Sequence, residues 1–302
     1  MVIYGEIGLY FDMSFRKKIE PAIADIPLGN ALIRVLALPP LRRPVFDCVV
    51  SIFSNFFFLQ YKAARQKGLI PVSRVDHPLD EKIPFKPRWV NIYLDFVAFW
   101  IRMLGFLLGR YGRRALVIVK DFIESMDKLY RFAAEVYSVN MSTTKRPRYL
   151  GRPRFVVIHV TDPHLMCIPS LHVMVVIFTY TQFRRIAESL GEKEVLKAQQ
   201  EELRLGALRI TEAVLFVKQH SINCIAAALY AIRRFDPSCF SVQEAEEFTS
   251  QLLINEKAPS QKDSKEIQSH ITTLFHRFLS EGENTPSWKD PLLNYLSRMR
   301  NT

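Results

Sequence analysis

The chain has 302 residues, which is long enough for one large domain or for one domain with a small extension. Hydrophobic residues make up 49% of it, and the mean hydropathy of +0.03 lies between that of soluble proteins and that of polytopic membrane proteins. The formal charge of +11 favours an acidic partner. Because the basic residues flank apolar runs and form no long block or recognised nucleic-acid module, the pattern favours a membrane surface and argues against nucleic acid.

The cysteines indicate no metal or thioredoxin-like motif. They are far apart and include no Cys-x-x-Cys pair; their positions are Cys48, Cys167, Cys224 and Cys239. A zinc site is a further candidate, but its ligands lack a standard spacing; they would be His159, His164, Cys167 and His172. We therefore predict neither a metal nor another cofactor.

Residues 1–44 are predicted to form an N-terminal amphipathic segment. Glu6 and Asp12 interrupt its apolar stretch, and its basic cluster comes afterwards, an order that is not typical of a signal peptide. The first long apolar run then begins at Val45.

Six apolar runs follow and are interpreted as candidate membrane helices: Val45 to Tyr61, Trp89 to Gly109, Ala115 to Tyr137, Pro169 to Phe183, Gly206 to Val217 and Ile222 to Ile232. The second run has the full length of a membrane span. Its Asp95 and Arg102 fall near one helix face and are predicted to pair or to turn inward. The third run is amphipathic. Because the other runs are short for membrane spans, a soluble protein with buried core helices is the alternative.

Strand signals are weak, and the end of the chain is polar. Arg154 to Val160 has the composition of a strand but stands alone. From residue 235 onward, a polar linker and two amphipathic helices near Val242–Leu253 and Lys265–Leu279 indicate a soluble tail. We predict an all-α protein, with a membrane bundle of about six helices over residues 45–234 and a helical tail over 235–302.

Three segments carry residues suited to phosphate chemistry. Lys145 to Arg154 is a basic loop in which prolines exclude a regular helix, and guanidinium groups bind phosphate oxygens. Ser170 is predicted to begin a helix whose first turn carries His172, and free N–H groups at a helix start attract anions. His220 lies in a polar break between the last two apolar runs. Taken singly, each has a plain structural interpretation: a positive loop, a core histidine and an exposed turn.

Together, these segments resemble the motifs of the type 2 phosphatidic acid phosphatase superfamily. Lys145 and Arg152-Pro153 match its Lys-x6-Arg-Pro motif, and Pro169 to His172 match its Pro-Ser-x-His motif. Lys218-Gln219-His220 is similar to the third motif in the inositol-phosphoceramide-synthase-like branch. Asp80 to Pro87 is similar to a stretch that precedes the second membrane helix of that branch. The resemblance covers roughly residues 45–233.

The resemblance implies a metal-independent phosphatase or phosphotransferase acting on a phosphorylated lipid. His220 would attack phosphorus and form a phosphohistidine, while His172 would protonate the leaving oxygen. Lys145, Arg152 and Ser170 would hold the phosphate oxygens.

The expected location is an integral membrane protein. If the six runs cross a bilayer alternately, Asp80–Arg88, Lys145–Ser170 and His220 share one face and the tail lies on the other. The positive-inside rule then places the tail in the cytoplasm and the catalytic face outside it.

Two features depart from the family pattern. Cys224 stands where the family has an Asp four residues after the nucleophilic His, and Ala213-Val214 replace a Ser-Arg pair. The Asp fixes the histidine tautomer, which a neutral thiol does poorly. Two hypotheses therefore remain: an enzyme, or a weakly active or inactive membrane protein of the same fold that acts as a binding or scaffold module.

Overall fold

The computed structural model describes residues 21–66 and 68–300, so residues 1–20 of the predicted N-terminal segment lie outside it. The protein is mostly helical, with 70% helix and 3% strand, and the prediction of an all-α protein is confirmed. The α-helices are α1 (Leu28–Leu36), α2 (Pro39–Ile52), α3 (Leu59–Arg65), α4 (Val90–Leu94), α5 (Phe96–Tyr111), α6 (Leu116–Tyr137), α7 (Pro153–Thr161), α8 (Leu171–Ser189), α9 (Lys197–Phe216), α10 (Ile222–Phe235), α11 (Val242–Ser250), α12 (Gln261–Glu283) and α13 (Asp290–Arg300).

Shorter elements connect these helices. A π-helical turn, Phe53–Phe58, joins α2 to α3, and 3₁₀ turns occur at Pro78–Lys82, Pro87–Trp89 and Gly112–Ala115. Strands β1 (Val72–Arg74) and β2 (Met141–Thr143) pair in parallel, with Val72 opposite Met141.

Helix α8 lies at the centre of the bundle. It contacts α5, α6, α9 and α10, and its apolar residues are buried all round, as for Val173, Ile177 and Phe183. A helix that is apolar on every side is stable only inside a core. The packing therefore fixes the first turn of α8, which carries His172, beside the loop that joins α9 to α10.

Two segments of the described chain are long and apolar enough to cross a membrane: Pro39–Arg65 and Pro87–Tyr137. The predicted bundle of about six membrane helices is therefore not confirmed. The two segments differ in packing, because the most apolar window is 22% buried in the first and 56% buried in the second. In the first segment Phe46, Phe53 and Phe58 point outward and are 60–68% exposed.

The structure corrects the strand prediction at Arg154 to Val160, which forms most of α7. Pro153 occupies the first helical position, where its fixed φ favours a helix and its missing N–H costs nothing. The pairing of Asp95 with Arg102 is confirmed, since the Arg102 guanidinium lies 2.9 Å from the carboxylate.

The C-terminal tail packs against the helical body. Helices α11 and α12 overlap the two predicted tail helices, whereas α13 was not predicted. Lys82 Nζ lies 3.0 Å from Asp263 and 2.6 Å from Glu266, and Lys86 Nζ lies 2.5 Å from Glu256. The predicted placement of the tail on the face opposite Asp80–Arg88 is therefore wrong, because ion pairs hold the two together.

Candidate functional site

Two histidines meet at one end of α8. His172 lies in its first turn, His220 lies in the loop between α9 and α10, and their ring centroids are 5.5 Å apart. The His172 ring stacks on Tyr93 at 4.6 Å and contacts Phe96 at 4.1 Å. Burial, together with the neighbouring His220, lowers the pKa of His172 well below its ordinary value, so the free site holds this ring neutral at pH 7.

Two buried polar atoms of the segments that carry these rings have no hydrogen-bond partner among the described residues: Ser170 Oγ and His220 Nδ1. Ser170 is the N-cap of α8 and is fully buried, yet its hydroxyl does not make the usual capping bond. His220 is 8% exposed. Buried groups without partners are costly, and of the two residues His220 lines the cavity between the histidines.

Cys224 follows His220 by four residues in the chain. It lies in the first turn of α10, fully buried, at the position where the resembled family has its carboxylate. Burial raises the pKa of this thiol well above its ordinary value, which keeps it neutral. A neutral thiol supplies neither the charge nor the strong acceptor that would orient His220.

The space between the histidines is a cavity of about 20 Å³, enough for one water molecule. Its walls come from five parts of the fold, which contribute Phe56, Gln60, Tyr93, Asp162, His164, Met166, Cys167, Leu171, His172, Gln219 and His220. A phosphate group is several times larger than a water molecule. A phosphate group would therefore fit this cavity only if part of the wall moved.

One residue of the basic loop that we did not predict as a site residue contacts Gln219, which directly precedes His220. The Arg146 guanidinium donates to Gln219 Oε1 at 3.2 Å and to the Asp162 carbonyl at 3.1 Å, and it pairs with the Asp162 carboxylate at 3.6 Å. Arg146 directly follows Lys145, the first residue of the Lys-x6-Arg-Pro motif.

The two predicted phosphate cations lie farther out. Lys145 is exposed, and its backbone N–H donates to Asp76 at 2.8 Å. Arg152 is the N-cap residue of α7. In the part of the chain that the structure describes, neither side chain hydrogen-bonds to Ser170, His172 or His220. The structure thus brings together three of the five predicted site residues.

Asp80 fixes the loop that carries His220. Its carboxylate accepts hydrogen bonds from the N–H groups of His77 at 2.7 Å and Ile222 at 2.9 Å, and Lys218 donates to its carbonyl oxygen. Burial raises the pKa of Asp80, and these hydrogen bonds partly offset that rise. The Asp80–Pro87 stretch therefore has a positioning role.

A second polar cluster adjoins the histidine pair. His164 is buried, and its Nε2 lies 2.8 Å from Thr144 Oγ1 and 3.7 Å from Cys167 Sγ. Both residues belong to the candidate zinc set of the sequence, His159, His164, Cys167 and His172. Among the described residues, no group of three or more His, Cys, Asp or Glu side chains is arranged to hold a metal ion.

Comparison of the chain with protein-family models, with curated proteins and with solved structures gave no match in any of the three. The functional argument therefore depends on the motifs and on this geometry.

Proposed function

We propose that the protein is a membrane-associated phosphatase or phosphotransferase that acts on phosphorylated lipids through His220 and His172. One observation carries the proposal: the two histidine rings lie 5.5 Å apart around a shared cavity, and His220 Nδ1 is buried there without a hydrogen-bond partner among the described residues. Histidines are the usual groups for proton transfer and can act as covalent nucleophiles.

The proposed roles follow from position. His220 attacks phosphorus and carries the phosphoryl group, and Ser170 Oγ donates a hydrogen bond to one of its oxygens. His172, neutral in the free site, gains its proton when the negative charge of the bound phosphate stabilises the imidazolium. It then donates that proton to the leaving oxygen. Water or an alcohol subsequently takes the phosphoryl group from His220.

The site would open when Arg146 exchanges its present hydrogen bonds for bonds to a phosphate. A phosphate would offer its guanidinium two charged oxygens in place of the Gln219 amide oxygen and the Asp162 carbonyl. This exchange would release the loop that precedes α7 and enlarge the cavity. Lys145 and Arg152 then approach the phosphate from the same loop.

The outward apolar face of Pro39–Arg65 supports a lipid as substrate and a bilayer as location. Phe46, Phe53 and Phe58 are exposed there, and Arg42 and Arg43 lie near one end, with Lys62 and Arg65 near the other. Aromatic residues between basic residues are typical of a membrane interface. The number of membrane crossings belongs to this proposal.

A second candidate is a binding or scaffold protein with little or no catalysis. Cys224 favours it, because the thiol leaves His220 Nδ1 without the orienting acceptor. A phosphorylated lipid would then be held but not cleaved.

The test is phosphate release by the full chain in detergent, with a chelator present, from phosphatidic acid and from diacylglycerol pyrophosphate. The enzyme hypothesis expects release that His220→Ala abolishes and His172→Ala reduces. His276→Ala is the matched control, since this exposed histidine pairs with Glu246 in the tail. Retention of lipid without release would instead support the scaffold hypothesis.

A further inference from the structure

Helix α7 (Pro153–Thr161) has an apolar outer face as well as an apolar inner face. Phe155 and Ile158 point inward and are buried, whereas three valines point outward, namely Val156, Val157 and Val160. The exposed fraction reaches 58% at Val157 and 75% at Val160. A helix that borders water normally turns polar residues outward, and a helix that is apolar all round is covered on every side. The outer face of α7 is therefore suited to contact with something other than water.

The chain around α7 is strongly basic. Residues 144–161 contain neither Asp nor Glu but have five basic side chains: Lys145, Arg146, Arg148, Arg152 and Arg154. Arg154 is engaged within the protein, because it donates to Asn91 at 2.6 Å. Arg148 is exposed, and its guanidinium has no partner in the part of the chain that the structure describes. Unpaired positive charge therefore lies beside the apolar outer face.

The basic loop also carries an outward apolar side chain. Leu150 is 72% exposed and lies between Arg148 and Arg152. An exposed leucine between two cations repeats, within a few residues, the composition of the outer face of α7. Membrane-surface segments have this combination of apolar and basic residues.

The outer face of α7 adjoins the segment Pro39–Arg65. The Tyr61 hydroxyl donates to the Thr161 carbonyl, so the last turn of α7 contacts α3. One turn before Tyr61, Phe58 is exposed, and the exposed Lys62 follows Tyr61 directly. Residues 53–66 contain no acidic residue either. Two surfaces of the same composition, apolar and basic, therefore meet at this contact.

Charge and length together favour one occupant for this surface, an anionic bilayer. With nine residues, α7 is too short to cross a membrane, which needs about 20, and it lies outside both segments that are long enough to do so. A second copy of the chain would bring the same positive charge to the contact. An anionic bilayer offers acyl chains to the valines and phosphate groups to Arg148.

We propose that α7 and Leu150 lie in the interface of an anionic bilayer, with the valines of the outer face among the acyl chains and Arg148 at the lipid headgroups. This inference rests on the membrane location in the proposed function. It adds a second membrane-contacting element to the segment Pro39–Arg65.

This placement gives a lipid headgroup a route to the histidines. Phe56 and Gln60 line the cavity from the segment Pro39–Arg65, and Asp162 and His164, which follow α7, line it from the other side. A headgroup that enters between α3 and α7 meets the cavity without leaving the bilayer surface.

The experiment places a fluorescent label on the outer face of α7 and asks whether lipid quenches it. Val157→Cys is labelled with a nitrobenzoxadiazole maleimide, and the full chain is reconstituted into phosphatidylcholine vesicles with and without phosphatidylglycerol. Phosphatidylglycerol supplies negative charge but is not a phosphate monoester, so the readout does not depend on turnover. Wild type corrects for labelling of the native cysteines, which are buried.

We expect the label on Val157→Cys to shift to the blue in vesicles that contain phosphatidylglycerol. Lipids with a nitroxide near the headgroup end of the acyl chain should quench it more strongly than lipids with a nitroxide at the chain end, since an interfacial helix lies at that depth. Val195→Cys is the matched control, because Val195 is 61% exposed in the connection between α8 and α9. Its label should show neither effect.

A charge variant tests the role of the anionic lipid. Arg148→Gln, in the Val157→Cys background, should lower the equilibrium constant for insertion of α7 roughly fivefold in the vesicles that contain phosphatidylglycerol, because one cation near an anionic surface is lost. It should have no effect in phosphatidylcholine alone.

An unquenched label on Val157→Cys, equal quenching on Val195→Cys, or an unchanged insertion in Arg148→Gln would overturn the proposal. A blue shift in detergent that grows with protein concentration would also overturn it, since a second copy would then cover this face. Where Val157→Cys does not fold, Val160→Cys reports from the same face. Phosphate release without quenching would remove this inference alone, and quenching without phosphate release would remove only the proposed activity.

Discussion

At the residue scale, position 224 is where the resembled family has an aspartate that would orient His220. Cys224 is fully buried four residues after His220, and His220 Nδ1 has no partner among the described residues. In histidine-based catalysis a carboxylate at such a place holds the tautomer and stabilises the imidazolium, and its loss costs orders of magnitude in rate.

We therefore expect Cys224→Asp to raise phosphate release, by roughly 10- to 100-fold, if the protein is a weak enzyme. The new carboxylate would accept a hydrogen bond from His220 Nδ1. Initial rates on phosphatidic acid, with His220→Ala in the same background, would measure it. Cys224→Ser is the matched control and should not raise the rate; equal rates in wild type, Cys224→Asp and Cys224→Ser would contradict the role given to this position.

Arg146 and Lys145 give a second prediction at this scale. Because the Arg146 guanidinium already touches Gln219, next to His220, we expect Arg146→Ala to lower kcat/KM by about 30-fold, the loss of roughly 2 kcal/mol from a charged hydrogen bond. Lys145→Ala should cost less, since that side chain is exposed. Steady-state kinetics on the two variants separate these outcomes, and a larger loss in Lys145→Ala would return the phosphate contact to the position that the motif indicates.

At the element scale, α12 docks on the body through a neutral histidine. The His270 ring lies 3.9 Å from that of His77, and its Nε2 is 2.8 Å from Asn223 Oδ1. The Asn223 amide nitrogen donates to the Val75 carbonyl, so Oδ1 is the acceptor and His270 Nε2 carries the proton. Burial, with repulsion from His77, lowers the pKa of His270 to about 4.

A depressed histidine pKa makes stability fall with acid. Between an unfolded-state pKa of about 6.5 and a folded-state pKa of about 4, the unfolded chain binds the proton and the folded chain does not. We expect His270 to remove roughly 2 kcal/mol of the free energy of unfolding over that range as pH falls. Burial also lowers the pKa of His77, and the nearby Asp80 and Glu266 carboxylates only partly offset that lowering, so His77 adds to the loss of stability in acid.

Denaturant unfolding of wild type and His270→Gln at several pH values isolates this contribution. The glutamine keeps a donor for Asn223 but does not titrate. The difference between the free energies of unfolding of wild type and His270→Gln should therefore narrow above pH 7 and grow toward pH 4. A difference that does not vary with pH would exclude the histidine as its source.

The segment from α2 to α3 has an outward apolar face. We expect the double variant Phe46→Ser, Phe53→Ser to bind anionic vesicles at least tenfold more weakly, since each phenylalanine inserted in lipid contributes roughly 1.5–3 kcal/mol. Vesicle sedimentation measures it. Val195→Ser is the matched control, because Val195 is 61% exposed but lies outside this segment; equal loss in the control would show that the effect is not local.

At the scale of the whole molecule, sequence patterns predicted local secondary structure better than they predicted how the helices and the tail pack together. Ser170 begins α8 and the Lys145–Arg152 loop is not helical, because side-chain preferences set helix starts and prolines exclude helix over a few residues. The strand predicted at 154–160 is wrong. The β-branched residues there favour a strand, but Pro153 favours a helix start and the stretch forms most of α7. Docking of the tail could not be predicted, since it depends on ion pairs such as Lys82–Asp263 between residues far apart in sequence.

The motifs likewise predicted some residues of the candidate site and not others. Motif spacing identified Ser170, His172 and His220, which the fold brings together. It did not identify Arg146, whose guanidinium reaches Gln219 only because of the path of the loop.

The segment Pro39–Arg65, which has the outward apolar face, also forms one wall of the candidate site. Phe56 and Gln60 line the cavity, Gln60 Oε1 accepts the Leu165 N–H at 2.9 Å, and the Tyr61 hydroxyl donates to the Thr161 carbonyl. Insertion of this segment into lipid would shift that wall, so a lipid interface would itself control access to the histidines. We expect interfacial activation: turnover of a short-chain phosphatidic acid should rise sharply at its critical micelle concentration, and a smooth hyperbola through that concentration would show that access does not depend on an interface.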